Sequence, residues 1–132
     1  MKKNLWILII IGILIIGLSF ARVFIWGSED SWIKDSKGVY VKHGNPSTTP
    51  DYVSEQQGVI NCAAGLYVQE KAKGVEFNSQ CLGSCGDYAV DMVHIPRTSN
   101  DNLPENQCSD YREVRVSKFI ELDKDGNIVR IV

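Results

Sequence analysis

The sequence predicts an α+β protein, in which an N-terminal transmembrane helix is followed by a small, β-rich, disulfide-stapled extracytoplasmic domain. Three observations support this fold class: an uncharged apolar run near the N-terminus, an even number of cysteines that all follow it, and short alternating runs separated by turn residues. The predicted organisation is a transmembrane signal-anchor at residues 1–26, a juxtamembrane hairpin and linker at residues 27–50, and a disulfide-bonded α+β domain at residues 51–132.

The apolar run extends from Leu5 to Trp26 and contains a single charge, Arg22. As a helix it would be about 33 Å long, which matches the ~30 Å hydrocarbon core of a bilayer. Residues 5–26 are therefore predicted to lie in membrane lipid. A cleaved signal peptide is the alternative, with Ser19 and Ala21 as the small residues of the cleavage site and a secreted domain as the product. The run exceeds the roughly 7–15 residues of a signal core, which favours the anchor.

Charges on the two sides of the apolar run predict its orientation and limit the partners of the domain. Lys2 and Lys3 precede the run, whereas Glu29 and Asp30 follow it, so the N-terminus is expected in the cytoplasm and the C-terminal domain outside the cell membrane. Residues 27–132 have 11 basic against 16 acidic residues and so a formal net charge of −5. Nucleic acid is not an expected partner, because binding to phosphates requires clustered Lys and Arg. A protein of the cell envelope is the expected partner, and no cofactor is predicted.

The segment that follows the apolar run predicts a hairpin and a linker. Trp32-Ile33 and residues 39–41 are short β-rich runs on either side of residues 35–38, where Gly38 can adopt the positive φ of a turn. Residues 44–50 contain Gly, Asn, Pro, Ser and Thr, a composition typical of a linker.

The same segment, Trp32 to Ser47, resembles a segment of small exported proteins of archaea and candidate-phylum bacteria whose activities are unknown. In those proteins it runs Trp-Ile-Cys, a Gly-containing turn, and Trp-Val-Lys-His-Gly-Asn-Pro. This chain has Lys34 where they often have Cys and Tyr40 where they often have Trp. The resemblance implies a location just outside the membrane and implies no activity.

Residues 51–72 contain good helix formers but are interrupted by Gly58 and Gly65. Because glycine costs a helix interior about 1 kcal/mol relative to alanine, only a short helix near Leu66–Lys71 is predicted. Residues 74–77 form a short, apolar-leaning run and are a candidate strand.

The next segment predicts a tight turn, a strand and a loop. Residues 81–86 include two glycines and are expected to form the turn. Residues 88–95 alternate between two faces and are predicted to be the interior strand of the domain, which ends at Pro96. Residues 98–107 are polar and are expected to form a surface loop.

The C-terminal segment predicts a second hairpin around the turn residues 123–127. One face of it is expected to carry four apolar residues, Val114, Val116, Ile120 and Leu122. Asp123 and Asp125 could also suggest a calcium loop, but the glycine stands fourth rather than sixth. The hairpin turn is the favoured interpretation.

Four cysteines follow the apolar run: Cys62, Cys81, Cys85 and Cys108. An even number in a small exported domain predicts two disulfides, which a limited apolar core would require. The favoured pairing joins neighbours in sequence, Cys62–Cys81 and Cys85–Cys108. The pairing Cys62–Cys85 with Cys81–Cys108 is close behind, and the sequence alone does not choose between them.

The Cys81–Arg97 segment also contains residues that could support chemistry other than disulfides. A metal site could use Cys81, Cys85 and His94, but the C-x3-C spacing lacks a second knuckle. A thiol redox site normally has C-x-x-C at a helix N-terminus. A Cys85–His94 dyad, with Asp91 orienting the histidine, is a further alternative, whereas a half-buried structural histidine is the simpler interpretation.

The function predicted from these observations is a single-pass, membrane-anchored extracytoplasmic binding or structural module, and not an enzyme. Its contact surfaces are expected to be the polar loop of residues 98–107 and the strand edges. The alternative is a small cysteine- or histidine-dependent enzyme, or a metal-binding domain, that uses Cys81, Cys85 and His94. The number of free thiols distinguishes them, because the enzyme needs at least one if cysteine is its nucleophile.

Overall fold

The computed structural model describes Ile7, residues 9–17 and residues 30–132. Ile7 and residues 9–17 are helical. The rest of the predicted signal-anchor, including Arg22 and the alternative cleavage site at Ala21, lies outside the described residues. Within the described parts of the chain, no helix combines the length and the apolar character needed to cross a membrane.

The first hairpin is confirmed. Strand β1 (Ser31–Lys34) pairs antiparallel with strand β2 (Tyr40–His43). The turn between them is held by the carboxylate of Asp35, whose Oδ1 accepts the backbone N–H groups of Lys37 at 2.8 Å and Val39 at 2.9 Å.

The tip of this hairpin docks on the C-terminal strand of the domain. The backbone N–H of Ile131 donates to the carbonyl of Lys37 at 2.8 Å. Gly38 has φ +84°, and a Cβ at this position would collide with the carbonyl oxygen of Ile131. Glycine is therefore required there both for the turn and for the close approach of two backbones.

A long helix, α1 (Asp51–Ala72), replaces the short helix predicted near Leu66–Lys71. Gly58 and Gly65 lie inside the helix and do not interrupt it. Both are exposed, and a Cβ at either position would contact nothing within 4 Å. The buried side of the helix is a single stripe: Val53, Gln56, Val59, Ala63 and Tyr67. Burial of this stripe against the sheet outweighs the low helix propensity of the glycines.

The second sheet has the strand order β3-β4-β5-β6. Its strands are β3 (Gln80–Cys85), β4 (Tyr88–Met92), β5 (Lys118–Leu122) and β6 (Ile128–Ile131). Strands β4 and β5 are parallel, and the other pairs are antiparallel. The connection from β4 to β5 contains two 3₁₀ turns (Ser99–Asn102 and Pro104–Asn106) and the short helix α2 (Ser109–Arg112).

Three local predictions are wrong in this region. Residues 74–77 form no strand, and residues 81–85 form most of β3 rather than a tight turn, which lies instead at residues 86–87. Strand β4 ends at Met92, so His94 is not a strand residue. The backbone N–H of Val93 still donates to the carbonyl of Leu122 at 2.8 Å, and the chain turns into the loop after this bond.

The core lies between α1 and one face of the second sheet. Its buried members are Val59, Ala63, Tyr67, Cys85, Tyr88, Val90, Met92, Ile120, Leu122 and Ile131. The opposite face carries a smaller cluster of Ala89, Cys108 and Val116, with Phe119 packed against it. The loop from β4 to β5 covers this face, so each side of the sheet has its own apolar cluster.

The C-terminal hairpin is confirmed from β5 to β6, but its predicted apolar face is only half correct. Ile120 and Leu122 both face α1, whereas Val116 belongs to the cluster on the opposite face. Val114 lies in neither cluster and is 83% exposed, with φ +59°.

Val114→Gly is expected to raise the free energy of unfolding by about 1 kcal/mol. A β-branched residue with positive φ is strained by roughly 1–3 kcal/mol, and the exposed side chain buries nothing that would offset this. Glycine removes the strain and loses part of the gain to backbone entropy. Chemical denaturation of the full chain measures the change. Val114→Ala is the matched control, since alanine keeps a Cβ at positive φ, and an equal gain from alanine would contradict the strain.

Two disulfides hold the layers together. Cys62 of α1 is bonded to Cys85 of β3, and Cys81 of β3 is bonded to Cys108 before α2. All four cysteines are therefore used, as predicted. The favoured pairing of neighbours in sequence is wrong, and the pairing ranked second is the one observed.

Candidate functional site

A row of side chains crosses the sheet on the face opposite α1. The strand registers align Cys81 with Asp91, Asp91 with Glu121, and Glu121 with Arg130. Three of these four residues carry ionisable charges, although the face is covered by a loop. Charges under such a cover require partners, and those partners define the site.

Glu121 lies at the centre of the row and is buried, with 5% of its surface exposed. Its Oε1 accepts hydrogen bonds from Arg97 Nη1 at 2.8 Å and from Arg130 Nη2 at 3.1 Å. Its Oε2 accepts a further bond from Arg130 Nε at 3.1 Å. Two guanidinium groups thus use both oxygens of this carboxylate, so Glu121 is fully hydrogen-bonded inside the fold.

Asp91 stands beside Glu121 and is the less satisfied carboxylate. Its Oδ1 accepts the backbone N–H of Cys108 at 3.0 Å. Partial burial, reinforced by the nearby charge of Glu121, raises the pKa of Asp91 to about 6, although the Cys108 hydrogen bond and Arg97 act in the opposite direction. Asp91 therefore changes its charge in a range that many biological compartments span.

The parent chain is expected to lose stability as the pH rises from about 4 to about 7, and Asp91→Asn is expected to abolish this loss. Because the pKa of Asp91 is raised to about 6 in the folded chain, the folded state binds the proton more tightly, so stability falls as pH rises through this range. Allowing for solvent screening, the fall is about 1–2 kcal/mol. Asparagine keeps the acceptor for Cys108 and adds no charge. Chemical denaturation of the parent and of Asp91→Asn at pH 4 and pH 7.5 measures this change in the free energy of unfolding. An equal change in the two proteins would contradict the raised pKa of Asp91.

A cavity of about 150 Å³ opens beside this row. Its walls include five ionisable residues, Asp91, Arg97, Asp101, Glu121 and Arg130, and also Asn106, Gln107, Tyr111 and Phe119. Tyr111 and Phe119 form an edge-to-face pair with ring centres 5.2 Å apart. The cavity thus combines charged, amide and aromatic walls, which is the composition of a small polar binding pocket.

A second polar cluster centres on Asp101, which is only 3% exposed. Its Oδ1 accepts Ser79 Oγ–H at 2.7 Å and the backbone N–H of His94 at 3.0 Å, and it lies 2.9 Å from His94 Nδ1. Its Oδ2 accepts the N–H of Thr98 at 2.6 Å and its hydroxyl at 3.1 Å. Burial would raise the pKa of Asp101, but the hydrogen bonds from Thr98, Ser79 and His94 prevail and hold it well below its ordinary value.

The structure does not bring the sequence-predicted site residues together. Cys85 Sγ is bonded to Cys62 and is not a thiol, and the residue that contacts His94 is Asp101 rather than Asp91. The carboxylate of Asp91 lies with the sulfurs of Cys81 and Cys108, within 4.8 Å of one another. Since those sulfurs are bonded to each other, they cannot serve as thiolate ligands of a metal.

Sequence reasoning missed Arg97, Glu121 and Arg130. A signal was present, because Glu121 and Arg130 are single charges inside otherwise apolar β-rich runs. A charge at such a position predicts a buried partner of opposite sign when the strand has both faces covered. The partner Arg97 lies in a loop, where no periodicity marks it.

The turn of the C-terminal hairpin is held by Asp123, as the favoured interpretation predicted. Its Oδ1 accepts the backbone N–H groups of Asp125 and Asn127, both at 2.9 Å. This is the side-chain-to-backbone bonding of a turn, and it accounts for the acidic residues without a calcium ion.

The chain matches no family model, no curated protein and no solved structure. The resemblance of residues 32–47 to a segment of small exported proteins stays a prediction. The geometry of the polar row, the cavity and the two disulfides is what supports a function.

Proposed function

We propose that this protein is a single-pass, membrane-anchored extracytoplasmic binding module. Residues 5–26 would lie in the lipid, with the N-terminus in the cytoplasm and the disulfide-braced domain outside. The observation that carries the proposal is that all four cysteines are joined in two disulfides. Disulfides persist in oxidising compartments, and the apolar run of residues 5–26 supplies a route and an anchor there.

The two disulfides favour a binding function over catalysis by a cysteine. The thiolate that a cysteine enzyme needs is not available, because Cys81 and Cys85 are each in a disulfide. The disulfide to Cys108 also fixes the loop that covers the polar row. A pocket whose loop is held in this way changes little on binding, so less affinity is lost to ordering.

A histidine-dependent enzyme is a second candidate, favoured by one contact. Asp101 holds Nδ1 of His94 at 2.9 Å, and the side chain of His94 is 37% exposed at a cavity of about 340 Å³ that Phe77 and Lys124 also line. An imidazole held through Nδ1 can act as a base through Nε2. The same contact closes the loop after β4, so a structural role accounts for it equally well.

Protease accessibility tests the proposed location. The full chain with a C-terminal tag is expressed in bacteria, and protease is added to spheroplasts. The domain is expected to be degraded, while carbonate washing leaves the intact chain in the membrane. Ile13→Lys is the control, because a charge in the middle of the apolar run should release the chain on washing. A protected tag, which places the domain in the cytosol, would refute the proposal.

The enzyme candidate is separated from the binding module by His94→Gln. Glutamine can occupy similar space and can still donate to Asp101, but it cannot act as a base at neutral pH. The module predicts that a partner captured from the envelope by the tagged chain is captured equally by this variant. Loss of a hydrolytic activity of the purified chain in His94→Gln alone, with stability unchanged, would favour the enzyme.

A further inference from the structure

Three carboxylates line the cavity beside the polar row: Asp91, Asp101 and Glu121. Both oxygens of Asp101 already accept hydrogen bonds, and so do both oxygens of Glu121. Arg97 and Arg130 are both paired with Glu121. Among the described residues, the carboxylate of Asp91 accepts a single hydrogen bond, from the N–H of Cys108 to Oδ1. The second carboxylate oxygen therefore has the capacity to accept a donor from outside the chain.

The neutral walls of the cavity add acceptors and aromatic rings. Asn106 donates through Nδ2 to the carbonyl of Asn100 at 2.9 Å, which leaves its amide oxygen as an acceptor. The side chains of Gln107 and Tyr111 line the same cavity. A carboxylate, two amide groups and an aromatic ring match a group with three N–H donors and a positive charge.

We infer that this pocket binds the primary ammonium group of an unbranched alkyl chain, as at the end of a lysine side chain of the partner protein. The volume of about 150 Å³ is roughly five times the ~30 Å³ share of one liquid water molecule, so it accommodates an ammonium group and a few methylenes. The inference rests on the proposed binding function and names the chemistry of the partner.

Two other ligand classes fit the charges less well. A divalent cation such as Ca²⁺ takes six to eight oxygen ligands, whereas both oxygens of Glu121 are already used by the two arginines. An anion would have to enter beside three carboxylates, Asp91, Asp101 and Glu121, which outnumber the two guanidinium groups of the lining. The same balance of charges favours an ammonium group.

The proposed site has a pH signature. The charged groups that face Asp91 are Glu121 on β5, Arg97 after β4, Arg130 on β6 and Asp101 in the loop, while β3 contributes the disulfide-bonded Cys81. With a pKa of about 6, roughly a tenth of Asp91 is ionised at pH 5. Affinity for an ammonium ion is therefore expected to fall about tenfold from pH 7.5 to pH 5.

Nuclear magnetic resonance of the full chain, held in an uncharged maltoside detergent, tests the inference. The probe is n-butylammonium, and the signal followed is the backbone amide of Cys108, which donates to Asp91. A saturable shift is expected at pH 7.5. Butyrate, tetramethylammonium and alanine methylamide serve as comparison ligands. They carry respectively a negative charge, a cation without N–H donors, and an α-ammonium group on a branched carbon like that of a protein N-terminus.

Asp91→Asn is expected to weaken n-butylammonium binding about tenfold or more, because it replaces a charge-assisted hydrogen bond by a neutral one. Asp125→Asn removes an exposed carboxylate in the β5–β6 turn, so it is the matched control and should bind n-butylammonium as the parent does.

Gln107→Leu gives a second measurement if Asp91→Asn does not fold, and a severalfold loss of n-butylammonium affinity is expected. Binding unchanged in these pocket variants, no saturable shift, or tighter binding of butyrate, tetramethylammonium or alanine methylamide would overturn the inference. The protease experiment is independent, so failure of the titration leaves the proposed location standing.

Discussion

Replacement of both Cys62 and Cys85 by alanine is expected to lower the free energy of unfolding by about 3 kcal/mol. The bond between them joins residues 23 apart in sequence, and removing it restores the conformational freedom of that loop in the unfolded chain. Cys85 is 3% exposed and packs in the core with Val90, so the alanine variant also loses buried surface. A domain of about 100 residues should then melt roughly 10–20 °C lower.

Thermal unfolding of the full chain in detergent, with and without reductant, measures this effect. Under oxidising conditions the Cys62/Cys85 variant should melt well below the parent, and under reductant only the smaller loss from truncating the buried Cys85 side chain should remain. Alanine replacement of Cys81 and Cys108 is the parallel variant, because that bond closes a loop of similar length, its ends being 27 positions apart in sequence. If the parent and both double-alanine variants have equal melting temperatures in oxidising buffer, neither disulfide stabilises the fold.

The observed disulfide pairing follows from a register shift in β3 that the sequence does not predict. The register of β3 shifts between Cys81 and Gly83, where the glycine has φ +139°. In a regular strand, residues four apart point to the same face, but an extra residue at a bulge reverses the later ones. Cys85 consequently faces α1 and meets Cys62, while Cys81 faces the loop and meets Cys108. Proximity in sequence, which favoured the other pairing, carries no information about faces.

The sequence leads to too short an α1, because Gly58 and Gly65 are expected to interrupt the helix and because a polar residue in its buried stripe weakens the apolar pattern that would outweigh them. Gln56 is 3% exposed and connects the helix to the first hairpin. Its Nε2 donates to the carbonyl of Gly38 and its Oε1 accepts the N–H of Tyr40, both at 2.8 Å. A glutamine at a core position breaks the apolar periodicity by which amphipathic helices are recognised. Both hairpins, by contrast, were predictable, because their turns are encoded by local side-chain-to-backbone bonds.

The candidate site shows the same division between local and tertiary information. The turn chemistry of Asp123 depends on neighbours in sequence and was predicted correctly. Glu121 pairs with Arg130 across the β5–β6 hairpin, nine residues away, whereas its pairing with Arg97 spans 24 residues and requires the parallel alignment of β4 with β5. Parallel strands are joined by a long connection whose path no turn residue specifies, so the partner Arg97 could not be assigned from the sequence.

Asp101→Ala is expected to destabilise the domain more than any single substitution of a surface carboxylate, by about 3–5 kcal/mol. The carboxylate of Asp101 is the common acceptor for Ser79, His94 and Thr98. Alanine leaves these donors without their acceptor at a position that is 3% exposed, where water does not readily replace it. The loop after β4 should open first, since its backbone N–H groups are tied to this side chain.

Acid titration provides an independent measurement of the same group. The pKa of Asp101 is depressed in the folded chain, so its contribution to stability is fully present above about pH 4 and is lost as pH falls toward the folded value. Asp101→Asn should therefore be less stable than the parent at pH 7 but lose less stability below pH 4. Asp125→Asn is the control, because Asp125 is exposed and its carboxylate pairs only with Lys124 in the part of the chain that the structure describes. If stability falls below pH 4 as steeply in Asp101→Asn as it does in Asp125→Asn, Asp101 is not the acceptor that holds the loop.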